Sequence, residues 1–168
     1  YRKLLGHANA YKEGDETLGI AALTEEHRLL ARQLLQQTKL KDIDANTVFS
    51  DELYQYVQST TDPIIQQQTE DWTLGELKTF LLTETDDNIH PVLPGLSSDI
   101  IACVVKLMSN DELIQVGQKV FNPLTGSNIG SKGYMGARVQ PNSPTDHPDD
   151  ISWQVFCAWS YAVGDLVL

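Results

Sequence analysis

Arg138 and Gln140 are the two residues of this sequence whose types and spacing best suit the binding of a small polar molecule. They lie two positions apart in the predicted strand 134–140, so both side chains point to the same side of it. Pro141 ends this strand, and ligands of α/β sheets and barrels bind beyond the carboxyl ends of the strands. A guanidinium donates through a planar fork, and a carboxamide both donates and accepts. The pattern predicts a polar-substrate site, although a surface edge strand with two polar residues would produce it as well.

A glycine-rich segment, 126–133, superficially resembles a phosphate-binding loop. A Walker motif has a wider spacing between its glycines, places Lys before Ser or Thr, and opens a helix. Here three residues separate Gly126 from Gly130, Ser131 comes before Lys132, and a predicted strand follows. The segment is therefore predicted to be a flexible connector rather than a nucleotide site.

Metal-binding patterns are not found in the sequence. None of the four histidines has metal-ligand spacing to another histidine or to a cysteine. They are His7, His27, His90 and His147. The acidic stretch 146–150 lacks the pattern of a calcium loop. Cys103 and Cys157 lie within apolar patterns, which favours buried, reduced thiols of a cytosolic protein over a disulfide or a metal site.

The charge of the chain excludes some classes of partner. The 168 residues include 12 basic and 23 acidic side chains, a net charge of −11. Proteins that bind nucleic acids or anionic membranes need clustered positive charge, so we expect neither partner. Residues 49–116 carry 2 basic and 12 acidic side chains. This acidic block is either a solvated helix face or a surface that docks a basic partner.

The elements before the glycine-rich segment are predicted to be helices, because capping residues precede apolar residues at helical spacing. The predicted starts are Thr24, Ser50, Asp62 with Pro63, Thr73 with Glu76, Ser97, and Asn110. The helix after Ser97 has apolar residues on more than one side, which predicts deep burial.

After the glycine-rich segment the pattern changes to strand, helix and strand. Strand 134–140 is followed by a predicted helix over 151–164 and by the beginning of a second strand at 166–168. Such a unit implies a parallel sheet. The helix carries an aromatic stripe that is predicted to belong to the core. The stripe comprises Trp153, Phe156, Trp159 and Tyr161.

The sequence resembles the amino-terminal part of the ethanolamine ammonia-lyase large-subunit family. The order and spacing of many short segments carry the resemblance, rather than one decisive motif. These segments are Gly14-Asp15, Leu18 to Ala22, Arg28 to Leu34, Asp71 to Leu77, Gly95 to Asp99, Ser109 to Ile114, Arg138 to Asn142, and Gly164-Asp165.

The resemblance implies a fold and a substrate site. The fold is a mainly helical region, residues 1–128, followed by the start of a (β/α)8 TIM barrel in residues 129–168. This start comprises the first strand, the first helix and the beginning of the second strand. By resemblance, Arg138 is catalytic and contacts the hydroxyl of the substrate, and Gln140 hydrogen-bonds the amino-alcohol. The cofactor-binding residues stay unassigned, since most of them would belong to later strands.

The resemblance also implies the chemistry of the whole enzyme. The family uses adenosylcobalamin to convert ethanolamine to acetaldehyde and ammonia. Homolysis of the cobalt–carbon bond gives a deoxyadenosyl radical, which abstracts a hydrogen atom from the substrate before the amine migrates or leaves. The 168 residues alone would be inactive, because they contain only one complete β/α unit.

Partners and location follow from the same resemblance. It implies a small subunit of the lyase, a homo-oligomer of the large subunit, and a cytoplasmic location, free or inside a bacterial microcompartment. A different class of function is a stand-alone acidic helical interaction module without catalytic activity. Seven further strand–helix repeats after Leu168 would indicate the enzyme, and a stop codon there would indicate the module.

Overall fold

The computed structural model describes residues 1–168 apart from 124, 135, 145–146, 164 and 167–168, and for 165–166 it describes the backbone. The chain divides into two compact units, Tyr1–Val120 and Phe121–Leu168, called unit 1 and unit 2 below. The domain boundary predicted after residue 128 stays a prediction. Among the described residues, no helix has the length and the apolar character needed to span a membrane.

Unit 1 is built from short α-helices joined by turns and short loops. They are α1 (Arg2–Ala8), α2 (Glu13–Thr17), α3 (Glu25–Gln36), α4 (Leu40–Asp44), α5 (Glu52–Ser59), α6 (Pro63–Thr69), α7 (Leu74–Thr83), α8 (Asp86–Ile89), α9 (Ser98–Val105) and α10 (Asn110–Gly117). A short 3₁₀ turn, Leu93–Gly95, precedes α9. The predicted helical region is confirmed by these elements.

Local capping chemistry explains where these helices begin. Thr24 accepts a hydrogen bond from the N–H of His27 at the start of α3. Asp62 caps α6, whose first residue is Pro63. Thr73 and Glu76 form a capping box at α7. Each cap satisfies backbone donors that have no partner inside the helix, so these starts are as predicted.

Two predicted starts are wrong by one residue. Ser109, rather than Asn110, caps α10, because its hydroxyl and the Glu112 carboxylate close a capping box. Asp51, rather than Ser50, caps α5 through the N–H of Tyr54. In both places two neighbouring residues can act as a cap, and the one that places its side chain over the first helical turn does so.

The core of unit 1 lies between α3, α4, α7 and α9, with α1 packed on α3. Its buried members are hydrophobic side chains from most of the helices: Ala8, Ala31, Leu35, Leu40, Ile43, Leu74, Leu77, Leu81, Ile89, Leu96, Ile100, Cys103 and Val104. The prediction that α9 is buried on more than one side is wrong, because Ile101 and Val105 are exposed. One face of α9 meets the core and the other meets solvent.

A short antiparallel bridge joins the starts of α4 and α7. Lys39 pairs with Thr73, and the N–H of Leu40 donates to the carbonyl oxygen of Trp72 at 2.9 Å. The carboxylate of Asp71 accepts from Lys39 Nζ at 2.9 Å and from Lys41 Nζ at 2.7 Å. The bridge therefore holds two separate helix starts side by side.

Unit 2 contains strand β1 (Arg138–Val139), helix α11 (Pro148–Ser160) and strand β2 (Asp165–Leu166). The two strands pair in parallel, with Arg138 opposite Asp165 and Val139 opposite Leu166. The strand is shorter than the predicted 134–140, and the helix begins before the predicted residue 151. Pro148 occupies the first helical turn. The N–H groups of that turn have no partner within the helix, so the absence of an N–H in proline costs no helical hydrogen bond.

The aromatic stripe of α11 is exposed, so the prediction that it belongs to the core is wrong. Trp153 is 74% exposed and Phe156 is 61% exposed. Trp159 and Tyr161 are exposed as well. The physical reason lies within unit 2, where a two-stranded ladder and one helix have too little surface to cover both sides of the helix.

Candidate functional site at the end of strand β1

Arg138 and Gln140 both lie at the surface of unit 2. Arg138 is the first residue of β1, and Gln140 follows directly after Val139, the last. Both predicted site residues are exposed, whereas Val139 between them is half-buried. Over these three residues the exposure alternates as it does along an extended segment.

The chain after Gln140 turns away on a well-anchored path. Pro141 and Ser143 are buried, although the residues on either side of Ser143 are exposed. The N–H of Asn142 donates to Gln154 Oε1 at 3.0 Å, and Gln154 Nε2 donates to the carbonyl oxygen of Asn142 at 2.7 Å. Helix α11 thereby holds the backbone two residues beyond Gln140.

A second set of hydrogen bonds holds the same loop near the start of α11. The hydroxyl of Ser143 donates to Asp150 Oδ2 at 3.2 Å and accepts from the N–H of His147 at 3.3 Å. His147 Nδ1 in turn accepts from the N–H of Asp149 at 3.3 Å and so caps α11. This assigns a structural role to His147 as the cap of a helix.

The chemistry available at this site is that of hydrogen bonding and positive charge. Arg138 offers donors and a permanent charge, and Gln140 offers one donor group and one acceptor. Both groups can hydrogen-bond a polar molecule.

The other candidate sites do not gain support from the structure. Gly126, Gly130 and Gly133 have positive φ angles, and a side chain at Gly130 would lie 2.6 Å from the carbonyl oxygen of Asn122. These glycines are used to turn the chain. Among the described residues, no group of three or more His, Cys, Asp or Glu side chains is placed to hold a metal ion.

The two cysteines have different environments. Cys103 is buried in unit 1, and burial raises the pKa of its thiol. Cys157 is exposed on α11, so the prediction of two buried thiols is wrong for this residue. Both are free thiols in the structure.

Unit 1 contains a partly buried polar cluster that was not among the predicted sites. Asp44 accepts from the hydroxyl of Ser97 at 2.5 Å and from Gln66 Nε2 at 2.7 Å. The hydroxyl of Tyr1 lies 3.7 Å from the sulfur of Cys103, and burial is the main cause that raises the pKa of Tyr1. The two hydrogen bonds of Asp44 connect α4, α6 and the start of α9. No local pattern signals them, because Asp44 and Ser97 are distant in the sequence.

Among the surface grooves in the described part of unit 1, two are lined by residues that sequence patterns did not predict as a site. One lies between α3 and α7, with the polar residues Gln33, Gln36 and Thr79 among its walls. The other lies between α1 and α3 and is apolar, with Leu30 and Leu34 among its walls. Arg138 and Gln140 line neither groove.

The fold and the site together describe a helical region followed by a parallel strand–helix–strand unit that carries polar residues at the end of its first strand. Comparison with known proteins identifies the family. The family model of the ethanolamine ammonia lyase large subunit (EutB) matches residues 1–168, and the chain belongs to this family.

Curated relatives agree with the family match. The chain is 30% identical over 175 residues to the ethanolamine ammonia-lyase large subunit of Escherichia coli strain K12. It is 29% identical to the protein of the same name from Salmonella typhimurium strain LT2. Each alignment covers 99% of this chain and 38% of the relative. The chain therefore spans well under half the length of these relatives.

Proposed function

We propose that this chain contributes the first β/α unit of a (β/α)8 barrel to the large subunit of an adenosylcobalamin-dependent lyase that converts ethanolamine to acetaldehyde and ammonia. The observation that carries the proposal is the position of Arg138 in β1 and of Gln140 directly after its carboxyl end, both exposed, in a chain that belongs to this family. The parallel pairing of β1 and β2 across α11 supports the barrel, since barrel strands pair in this way.

Arg138 is proposed to hold the hydroxyl group of ethanolamine. Its guanidinium is a preorganised donor, and it stabilises negative charge that develops on the substrate oxygen. Gln140 is proposed to hydrogen-bond the amino-alcohol and to keep it in register, because its carboxamide both donates and accepts.

The described residues of unit 2 do not by themselves fit adenosylcobalamin. A cofactor pocket encloses most of the surface of its ligand, whereas two strand residues with one helix enclose nothing of that size. We therefore assign the cofactor to parts of the relatives' length that this chain does not span. The small subunit and the homo-oligomer are proposed on the same family basis.

The substitution Arg138→Ala in the whole large subunit tests the proposal. Loss of a preorganised donor to the reacting oxygen costs about 3 kcal/mol of transition-state stabilisation, or about a hundredfold in kcat/KM for ethanolamine. Arg138→Lys keeps the charge but loses the planar fork, so we expect an intermediate value. Arg2→Ala, at an exposed arginine in α1, serves as the control and should leave turnover unchanged.

Full turnover by Arg138→Ala would contradict the proposed role. A separate measurement concerns Gln140→Ala, which should raise the Michaelis constant for ethanolamine because it removes a positioning contact. The 168-residue chain alone is expected to show no turnover. Turnover of ethanolamine by that chain would show that the remaining barrel is not needed.

A further inference from the structure

Gln154 is the side chain that connects helix α11 to the chain leaving the candidate site. Both polar atoms of its carboxamide are used, and both bond to one residue, Asn142. The N–H and the carbonyl of Asn142 belong to the peptide planes on opposite sides of its Cα. The two hydrogen bonds therefore fix both planes, which a single hydrogen bond would not do.

We propose that Gln154 is a positioning residue, which sets the orientation in which Gln140 leaves β1. Only Pro141 separates Gln140 from Asn142. The ring of Pro141 fixes its φ angle, and this residue is buried. Few free backbone rotations remain between the point held by Gln154 and the Cα of Gln140, so the constraint passes directly to the site. This inference rests on the proposed function of Gln140.

The chemistry of position 154 calls for a carboxamide. The arrangement needs one acceptor for the Asn142 N–H and one donor for its carbonyl, and Gln supplies both from a single side chain. A carboxylate supplies only the acceptor when it is ionised, and a thioether supplies neither in useful strength.

The loop has an independent anchor, which makes the proposal testable. Ser143 is 3% exposed and bonds to Asp150 and to the N–H of His147 without involving Gln154. A change at Gln154 is therefore expected to loosen the segment between Gln140 and Asn142 while the start of α11 keeps its contacts.

The experiment compares Gln154→Met, Gln154→Glu and a matched control in the whole large subunit assembled with its small subunit. Gln154→Met should raise the Michaelis constant for ethanolamine about tenfold, on the scale of a misplaced binding group, with a smaller change in kcat. It should also speed hydrogen exchange at the Asn142 N–H. Gln154→Glu keeps the acceptor and should fall between Gln154→Met and the unmodified protein in both readouts.

The control is Gln68→Met, which makes the same chemical change at an exposed position of α6. It should leave the Michaelis constant unchanged. A double variant separates positioning from general destabilisation: Gln140→Ala with Gln154→Met should have the Michaelis constant of Gln140→Ala alone, because Gln154 acts through Gln140.

The outcomes distinguish this inference from the function on which it rests. If Gln140→Ala leaves the Michaelis constant unchanged, the proposed function of Gln140 is wrong and the positioning role is wrong with it. If Gln140→Ala raises the constant but Gln154→Met does not, only the positioning role is overturned. Additive effects in the double variant, or unchanged hydrogen exchange at Asn142, would overturn it as well.

Discussion

Helix α7 in unit 1 and helix α11 in unit 2 contain a similar share of hydrophobic residues and yet have opposite environments. In α7, Leu74, Leu77 and Leu81 are buried against α3, α9 and α10. In α11 no described residue is buried, and its tryptophans are exposed. The comparison shows that a hydrophobic face predicts where a helix needs a neighbour, whereas burial depends on which neighbours are present.

The two units also differ in how they use hydrogen bonds. In unit 1 the buried hydroxyl of Ser97 donates to the partly buried carboxylate of Asp44, next to a core of hydrophobic side chains. In unit 2 the hydrogen bonds made by Gln154 and Ser143 lie in the loop beside the candidate site. Stability in unit 1 therefore comes from packing, and order in unit 2 depends more on a few directional contacts.

The largest test of this comparison is Leu77→Ala in α7. Leu77 is 0% exposed, so the substitution removes buried methyl groups and leaves a cavity, which costs about 2–5 kcal/mol of the free energy of unfolding. Phe156→Ala in α11 should cost much less, because this ring is largely in solvent. Urea denaturation of each variant measures both values.

Leu23→Ala, at a highly exposed leucine of unit 1, is the matched control for Leu77 and should change the free energy of unfolding little. Trp72 is the only tryptophan of unit 1. In a variant background in which Trp153 and Trp159 are replaced by phenylalanine, tryptophan fluorescence would therefore report the unfolding of unit 1 alone. If Leu77→Ala and Phe156→Ala lowered the free energy of unfolding equally, the contrast between a buried α7 and an exposed α11 would be contradicted.

A smaller effect is expected from Gly95→Ala, which tests how closely unit 1 is packed. A Cβ at Gly95 would lie 2.6 Å from Ile65 Cγ2 and 2.7 Å from the backbone nitrogen of Gln66. The backbone of α6 would have to move, at a cost of about 1–3 kcal/mol in the free energy of unfolding. Gly14→Ala is the control, since nothing lies within 4 Å of a Cβ at that position. A neutral Gly95→Ala would show that the contact between α6 and the 3₁₀ turn is loose.

The smallest expected change in stability comes from a substitution at Asp71, on the surface of unit 1. Hydrogen bonds from Lys41 and Lys39 lower the pKa of Asp71 to about 2, whereas an unfolded chain has a value of about 4. A carboxyl group whose pKa is lower in the folded state stabilises the fold at pH values above its unfolded pKa. This stability is lost as the pH falls through its folded pKa. Asp71→Asn should therefore flatten the dependence of stability on pH between about 4 and 2.

The measurement for Asp71 is the urea midpoint at a series of acidic pH values. Salt at about 1 M should reduce the difference between Asp71→Asn and the unmodified protein, because it screens exposed charges. A difference that persists unchanged in high salt would mean that Asp71 stabilises the bridge in another way.

The parts of the fold that could be predicted from the sequence depend on neighbouring residues. Thr24, Asp62 and Thr73 can be predicted as caps because a capping side chain and the backbone N–H that donates to it lie within one helical turn. The choice between Asn110 and Ser109 was harder, since both residue types are caps. Contacts between distant positions, such as Asp44 with Ser97, leave no local pattern.

For the candidate site, alternation along a strand predicts that Arg138 and Gln140 lie on the same side of the chain, and both residues are exposed. The strand ends at Val139, two residues before Pro141. The role of Gln154 was not predictable, because a glutamine on a helix has no distinguishing pattern. Its importance comes from the loop that returns to it in three dimensions.

The parallel pairing of β1 and β2 has a consequence for the order of folding. A hairpin can close from its turn, but Arg138 meets its partner Asp165 only after the whole of α11 has been placed between them. Contacts between distant positions are slow to form. We therefore expect the guanidinium of Arg138 to reach its final position late during synthesis, after the helices of unit 1 have assembled.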